Sequence, residues 1–260
     1  MKDFLKSADV VDVAARSWMK ALAMFAEAQP NGYYRAGGRG TSQLVTTAAM
    51  PFLNGVISIV RAADVEEIAA FAASPHLKSV PWSVQVRGTQ VDDRIVEAAA
   101  DHGLRQRMEL PFMVKDLEGL DLLEPVADGP KIRILAGDEG DLYRTTMAAG
   151  YGGPEEIFAI FASRSVMDHP SMRSYVVEVE GVPVATSFGV RVDDMVGVFN
   201  IAVPPQHRRF GYGRAATDAV LRDAHEGGAR TAFLHASPMG FPLYEAMGFR
   251  HEENWTLLTA

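Results

Sequence analysis

The chain contains no cysteine, which excludes disulfide frameworks, thiolate metal sites and cysteine nucleophiles. It has no run of about 20 apolar residues, the length a membrane-spanning helix needs. Residues 1–6 lack the apolar core of a secretion signal, so the expectation is a cytoplasmic protein with no membrane partner. Basic residues are outnumbered, 25 Lys and Arg against 33 Asp and Glu, for a formal charge of −8. Phosphate-backbone binding requires the opposite balance, so nucleic acid is not an expected partner. No His-Glu-x-x-His pattern occurs and His169 and His207 stand alone, so no metal is expected. What remains is ordinary globular material, 48% apolar and 22% charged over 260 residues. That length allows one large domain or two of about 130 residues.

The hydrophobic periodicity predicts two successive α/β segments. Residues 10–27 form a helix that Pro30 ends, with Val11, Ala14, Trp18, Ala21, Leu22 and Phe25 on one stripe. Strands follow at 42–48 and 55–60, a helix beginning at Asp64, a strand at 82–86, a helix over 91–102 and a strand at 110–114. Gly37-Gly38-Arg39-Gly40 reads as a turn, since no Lys-Ser/Thr follows to make a phosphate loop. Residues 120–130, with Pro125, Pro130 and Asp128-Gly129, form the expected linker and divide the chain into 1–125 and 126–260. Beyond it come an edge strand at 131–136 and helices at 142–149 and 155–163, the second with Pro154 in its first position. Strands at 174–179, 182–192 and 195–203 are separated by Glu180-Gly181 and Asp193-Asp194 and make a meander. A helix over 213–225, a strand at 231–237, a short helix at 242–247 and a strand at 254–258 complete the pattern.

The halves echo one another. Gly55-Val56-Ile57-Ser58-Ile59 resembles Gly197-Val198-Phe199-Asn200-Ile201, and Gly103-Leu104-Arg105 resembles Gly248-Phe249-Arg250, at nearly equal offsets. A duplicated fold is expected, with unequal chemistry. After Val60 the first copy runs into Arg61-Ala62-Ala63-Asp64. After Val203 the second has Pro204-Pro205-Gln206-His207-Arg208-Arg209-Phe210-Gly211-Tyr212-Gly213-Arg214. Gly211 and Gly213 let backbone approach a ligand. The first amides of the following helix have no intrahelical partner and sit at the positive end of its dipole, a ready site for a pyrophosphate.

Arg208-x-x-Gly211-x-Gly213 after an apolar strand, followed by Tyr244-x-x-x-Gly248-Phe249, resembles the two motifs of the GNAT superfamily of N-acetyltransferases over about residues 131–260. The resemblance implies an α/β (α+β) protein of two GNAT-like domains in tandem, each a mixed, mostly antiparallel twisted sheet flanked by helices, the N-terminal copy degenerate. It implies acetyl-CoA as co-substrate and an amine acceptor, a small molecule being the expected partner; homodimerisation is left open. The Arg208–Gly213 amides would hold the CoA pyrophosphate, and Arg209 and Arg214 would reach its outer phosphates. Ile201, Ala202 and Val203 would flank the pantetheine arm, with a strand-end N–H on the thioester oxygen. Tyr244, protonated at pH 7, would donate to the leaving thiolate. Some members carry a glutamate four residues before the strand-end triplet; Gly197 stands there. His235 is then the candidate base, the other reading being a hydrogen-bonded core residue; Glu155 and Glu156 fall either at the family's acceptor wall or on a helix surface, and Ser237 would position the substrate or a water. The alternative is an acyl-CoA-binding sensor without catalysis. Pro81-Trp82, Arg87 and the Tyr33-Tyr34 pair have two readings, one facing the acceptor cleft and the other, for the aromatics, packing the domain interface.

Overall fold

The computed structural model describes residues 7–119 and 129–260. Residues 120–128, and with them the expected boundary at 125/126, lie outside the described residues. In chain order the elements are α1 (Ser7–Glu27), β1 (Tyr33–Ala36), β2 (Thr41–Val45), β3 (Asn54–Ser58), α2 (Val65–Ala72), β4 (Ser83–Arg87), α3 (Asp93–Ala100) and β5 (Gln106–Asp116). The second half adds β6 (Lys131–Ile134), α4 (Gly140–Tyr151), α5 (Arg164–Met167), β7 (Met172–Val179), β8 (Val182–Val192), β9 (Met195–Ala202), α6 (Tyr212–Glu226), β10 (Thr231–His235), α7 (Phe241–Ala246) and β11 (Arg250–Thr259). Residues 155–162, expected as an α-helix, form a 3-10 helix, with Pro154 outside its start as the capping residue. Among the described residues no helix is long and apolar enough to cross a membrane.

Two compact units result. One holds the residues up to Val114 with His235–Phe241 and Arg250–Ala260; the other holds Lys115–Leu234 and Pro242–Phe249. The final strand therefore groups with the N-terminal residues.

In the first unit the strand order is β1-β2-β3-β4-β11-β5, antiparallel except for β3 and β4. Val45, Val56, Val84 and Val86 point to one face and pack with Ile68 and Phe71 of α2 and Ile95 and Ala99 of α3. Each such fully buried aliphatic side chain contributes about 1.5–3 kcal/mol. Successive strand residues point to opposite faces, so Arg87, beside Val86, projects to the other side. There it meets Asp12 of α1 at 2.7 Å. α1 buries Val11, Ala14, Trp18, Leu22 and Phe25 along one stripe, as its i, i+3, i+4 spacing requires.

In the second unit the order is β10-β9-β8-β7-β6, antiparallel except for β9 and β10. β6 is the edge strand the sequence suggests. The meander turns use left-handed residues, Glu180 (φ 51°) and Gly181 (φ 80°) in one and Asp193 (φ 55°) in the other, the twist-matching hairpin conformation. Phe188 stacks edge-on with Phe161 at 6.0 Å. The neighbouring Gly189 faces Val220 of α6, whose methyl would lie 2.8 Å from any Cβ added there. Helical segments thus cover both faces of this sheet.

The run β1-β2-β3-α2-β4 and the run β7-β8-β9-α6-β10 share one sequence of pairings: antiparallel, antiparallel, then parallel across a helix.

Candidate functional site

The second unit opens at the end of β9. The parallel ladder with β10 spans only Met195 to Gly197, ending at Gly197 opposite Phe233. Beyond it, Val198–Ala202 continue past β10. On the other edge β9 carries a bulge: Thr186 faces Ala202 and Phe188 faces Phe199, so Asn200 and Ile201 stand against Ser187 alone. Asn200 takes the left-handed conformation (φ 54°), which Asn tolerates better than most residues. The Thr186 hydroxyl donates to its carbonyl at 3.1 Å. The fully buried Tyr143 of α4 donates to the carbonyl of Ser187, the β8 residue at the bulge, at 3.3 Å. Sequence reasoning missed Asn200, Tyr143 and Thr186; the sole signal was an Asn inside an otherwise apolar strand.

The chain then turns through Pro204 and Pro205. Arg208 ties this turn down: its guanidinium donates to the Val203 carbonyl at 3.0 Å and to the Gly150 carbonyl at 2.9 Å, and its N–H donates to Pro205 at 3.3 Å. The Arg208 amide, expected among the donors that hold the pyrophosphate, is instead paired with the Pro205 carbonyl within the protein. Gly150 makes the tie feasible, since a Cβ there would stand 2.7 Å from the Ala202 Cβ and 2.9 Å from the Val203 nitrogen.

Arg209 (φ 69°) and Gly211 (φ 86°) are both left-handed, and α6 starts at Tyr212 with no side-chain cap. The first bond closing this turn is from Ala215 N–H to the Gly211 carbonyl at 3.0 Å. The six amides of Arg209, Phe210, Gly211, Tyr212, Gly213 and Arg214 therefore donate to no backbone or side-chain acceptor among the described residues. Around Gly211 nothing lies within 4 Å of an added Cβ, whereas at Gly213 it would meet Leu243 at 3.3 Å, Val203 at 3.5 Å and Ile201 at 3.9 Å. Six unpaired amides at a positive helix end, on an open glycine turn, fit a diphosphate. Arg209 is exposed, while Arg214 lies 3.8 Å from Asp218 and is partly neutralised.

Leu243 brings α7 onto this turn, and with it Tyr244. That side chain is buried, edge-on to Phe249 at 5.8 Å. Burial, reinforced by the nearby Tyr151 phenol, pushes the Tyr244 hydroxyl above its ordinary value, so it stays a proton donor across the physiological range. Tyr151 is half-exposed and stacks on Phe158 at 5.5 Å.

Other expected residues lie elsewhere. His235 belongs to the first unit, boxed by Trp18 (4.4 Å), Phe112 (4.9 Å) and Trp255 (5.0 Å). Burial pushes its imidazole down to about 3, partly offset by the Leu110 and Pro111 carbonyls; in that box it is a very weak base. Gly197 has no room for an acid, because a Cβ would sit 2.5 Å from Phe199 and 2.9 Å from Phe233. Glu155 accepts from Arg144 at 3.2 Å. Arg87 does not face a cleft: it is sealed, donating to Glu253 at 2.6 and 3.0 Å and to the Ile59 carbonyl at 3.1 Å. Tyr33 stacks on His76, and Trp82 packs against His102. The Arg39 loop is clamped by Asp64 (2.9 Å) and Glu67 (3.0 Å), an arrangement that repels phosphate. Among the described residues no group of three or more His, Asp or Glu is placed to hold a metal ion.

The site is thus a bulged strand, parted from its parallel neighbour and followed by a glycine turn rich in free amides. Residues 141–249 match the acetyltransferase (GNAT) family model. Solved structures share the wider fold. A GCN5-related N-acetyltransferase from Kribbella flavida aligns at 18% identity and TM-score 0.66, covering 96% of this chain and 95% of that one. A functionally unknown conserved protein from Staphylococcus epidermidis aligns at 14% and 0.65, covering 90% and 96%. No curated protein matches the sequence.

Proposed function

We propose that the chain is an acetyl-CoA-dependent N-acetyltransferase acting on a primary amine of a small molecule, by direct transfer in a ternary complex. The observation that carries this reading is the set of six unpaired amides over 209–214 beside the open end of β9. When bound, acetyl-CoA supplies an activated acyl thioester. The 209–214 amides bind its diphosphate. Ile201, Ala202 and Val203 run beside the pantetheine arm, and a strand-end N–H donates to the acyl oxygen. The amine nitrogen forms a bond to the acyl carbon as the C–S bond breaks; Tyr244 gives its proton to the sulfur and takes one back from solvent, and the amine loses one. With position 197 filled by aromatic rings and His235 boxed, that amine proton leaves by water or through Glu155 or Glu156 of the 3-10 segment. The N-terminal unit is a degenerate GNAT-like copy, on the strength of the shared pairing order and the sequence echo.

The test is release of CoA thiol with a panel of small primary amines, alongside an acetyl-CoA titration. Amine-dependent release supports the proposal. Saturable binding with no release for any amine favours the second reading, an acyl-CoA-binding sensor, which the filled position at Gly197 and the lack of a strong base support. Absence of binding defeats both.

A further inference from the structure

Phe210 is 70% exposed, an unusual place for a large apolar ring in the middle of a polar turn. It is not loose. Its ring stacks on Tyr212, centroids 5.9 Å apart and planes 23° apart, and Tyr212 packs onto the core cluster of Val177, Val184, Ala185 and Ala216. The outer face of Phe210 is thus a fixed flat surface open to solvent. Its own amide and those of Arg209 and Gly211 are among the six unpaired donors, and the exposed Arg209 adds positive charge beside it.

The surroundings of the two glycines give the turn a direction. The Gly213 side is walled by Leu243, Val203 and Ile201 and leads to Tyr244, whereas the Gly211 side is open. A thioester carrier held at the turn with its sulfur toward Tyr244 leaves its nucleoside end on the open side, next to Phe210. Resting on the function proposed above, we infer that Phe210, backed by Tyr212, is a stacking platform for the purine base of the carrier. Two rings are far too small for a protein–protein contact, which takes about 800 Å² per partner. A planar aromatic base bearing phosphate matches both the ring face and the adjoining charge.

The experiment measures affinity of the full chain, by calorimetry, for acetyl-CoA and for S-acetyl-4′-phosphopantetheine, which lacks the nucleoside together with its 3′-phosphate and one phosphate of the diphosphate. Stacking of a base on an aromatic ring accounts for about tenfold in affinity. Phe210→Ala is expected to weaken acetyl-CoA binding about tenfold and leave the fragment unchanged, while Phe210→Trp restores acetyl-CoA affinity. An unchanged melting temperature confirms that this exposed position leaves the fold intact. Equal weakening of both ligands, no change in either, or a changed oligomeric state with unchanged affinity overturns the platform while leaving the transferase reading standing. If the unmodified chain binds neither ligand, the functional reading falls and the platform with it.

Discussion

Gly211→Ala separates the cost of a strained turn from the function of its amides. At φ 86° an L-residue pays about 1–2 kcal/mol. No packing penalty is added, because nothing lies within 4 Å of the new Cβ. For a chain of this size each kcal/mol lowers the melting temperature by about 2–4 °C, so a fall of about 2–8 °C is expected. The ligand effect should be much larger. The turn relieves strain by rotating Gly211 toward negative φ, which swings the amides on either side of it. Hydrogen bonds from such donors to a charged group are each worth about 1.5–3 kcal/mol, and losing two weakens acetyl-CoA binding by about a hundredfold or more. Gly213→Ala is the internal control. Its Cβ meets the mobile methyl of Leu243 at 3.3 Å, and Ala gains about 0.5–1 kcal/mol over Gly inside a helix, so stability and affinity should both hold. Calorimetric titration of acetyl-CoA into the three proteins, with thermal melts, decides the matter. If Gly211→Ala melts early but binds acetyl-CoA as tightly as the parent, the amide cradle is refuted.

Tyr244→Phe should lower kcat by about a hundredfold, the usual scale of one proton-transfer group, with acetyl-CoA affinity nearly intact; unchanged kcat removes Tyr244 from the reaction. Tyr143→Phe leaves the Ser187 carbonyl buried without its donor, at about 1–3 kcal/mol, and should cost stability in urea denaturation while also raising the acetyl-CoA KM, because the bulge it holds shapes the strand end. Arg87→Met takes the buried cation from Glu253 and Asp12, leaving them Arg61 and the Trp255 N–H; since breaking a buried pair outright typically costs about 3–5 kcal/mol, a loss below that range is expected. Burial alone would raise the Asp12 carboxyl, but hydrogen bonds and charge from Arg87 and Arg61 outweigh it and hold the group below its ordinary value. Its contribution is therefore fully present above about pH 4 and is lost as pH falls through the depressed value. Urea midpoints measured from pH 6 to pH 2 should show that acid limb in the parent and a flatter one in Arg87→Met.

The local pattern was readable where one residue type has one physical reason to be present. The α1 stripe, the Asp64 cap that accepts from Glu67 at 2.8 Å, the hairpin residues and the Gly211 turn all follow from composition and spacing. The four-residue β1 was invisible, because Tyr33-Tyr34-Arg35-Ala36 shows no alternation. The placement of β11 with β4 and β5 was equally unreadable, since a strand's pattern sets its faces and leaves its neighbour open. Charge was the poorest guide. Arg87 and Arg208 look like ligand-binding groups in the sequence, yet both turn donors inward, Arg87 to Glu253 and Ile59 and Arg208 to the Val203 and Gly150 carbonyls. Gly197 was legible as the lack of an acid but not as a position occupied by two neighbouring rings.

The contrast between the two parallel strand pairs leads to a stoichiometry. In the first unit β3 and β4 stay paired from Gly55 opposite Ser83 to Ser58 opposite Val86, across the positions that echo 198–200, where β9 has already left β10. The helix that follows is closed as well: the Asp64 carboxylate accepts from Glu67 N–H, and Glu67 itself accepts from the Arg39 and Thr41 amides. A zipped strand pair leaves no edge for a pantetheine arm, and a helix start ringed by Asp64, Glu66 and Glu67 repels a diphosphate. The full chain should therefore bind one equivalent of acetyl-CoA, and Gly211→Val should abolish that single event. Calorimetry that returned two equivalents, or one that survived Gly211→Val, would show that the first unit holds a carrier site despite this closure.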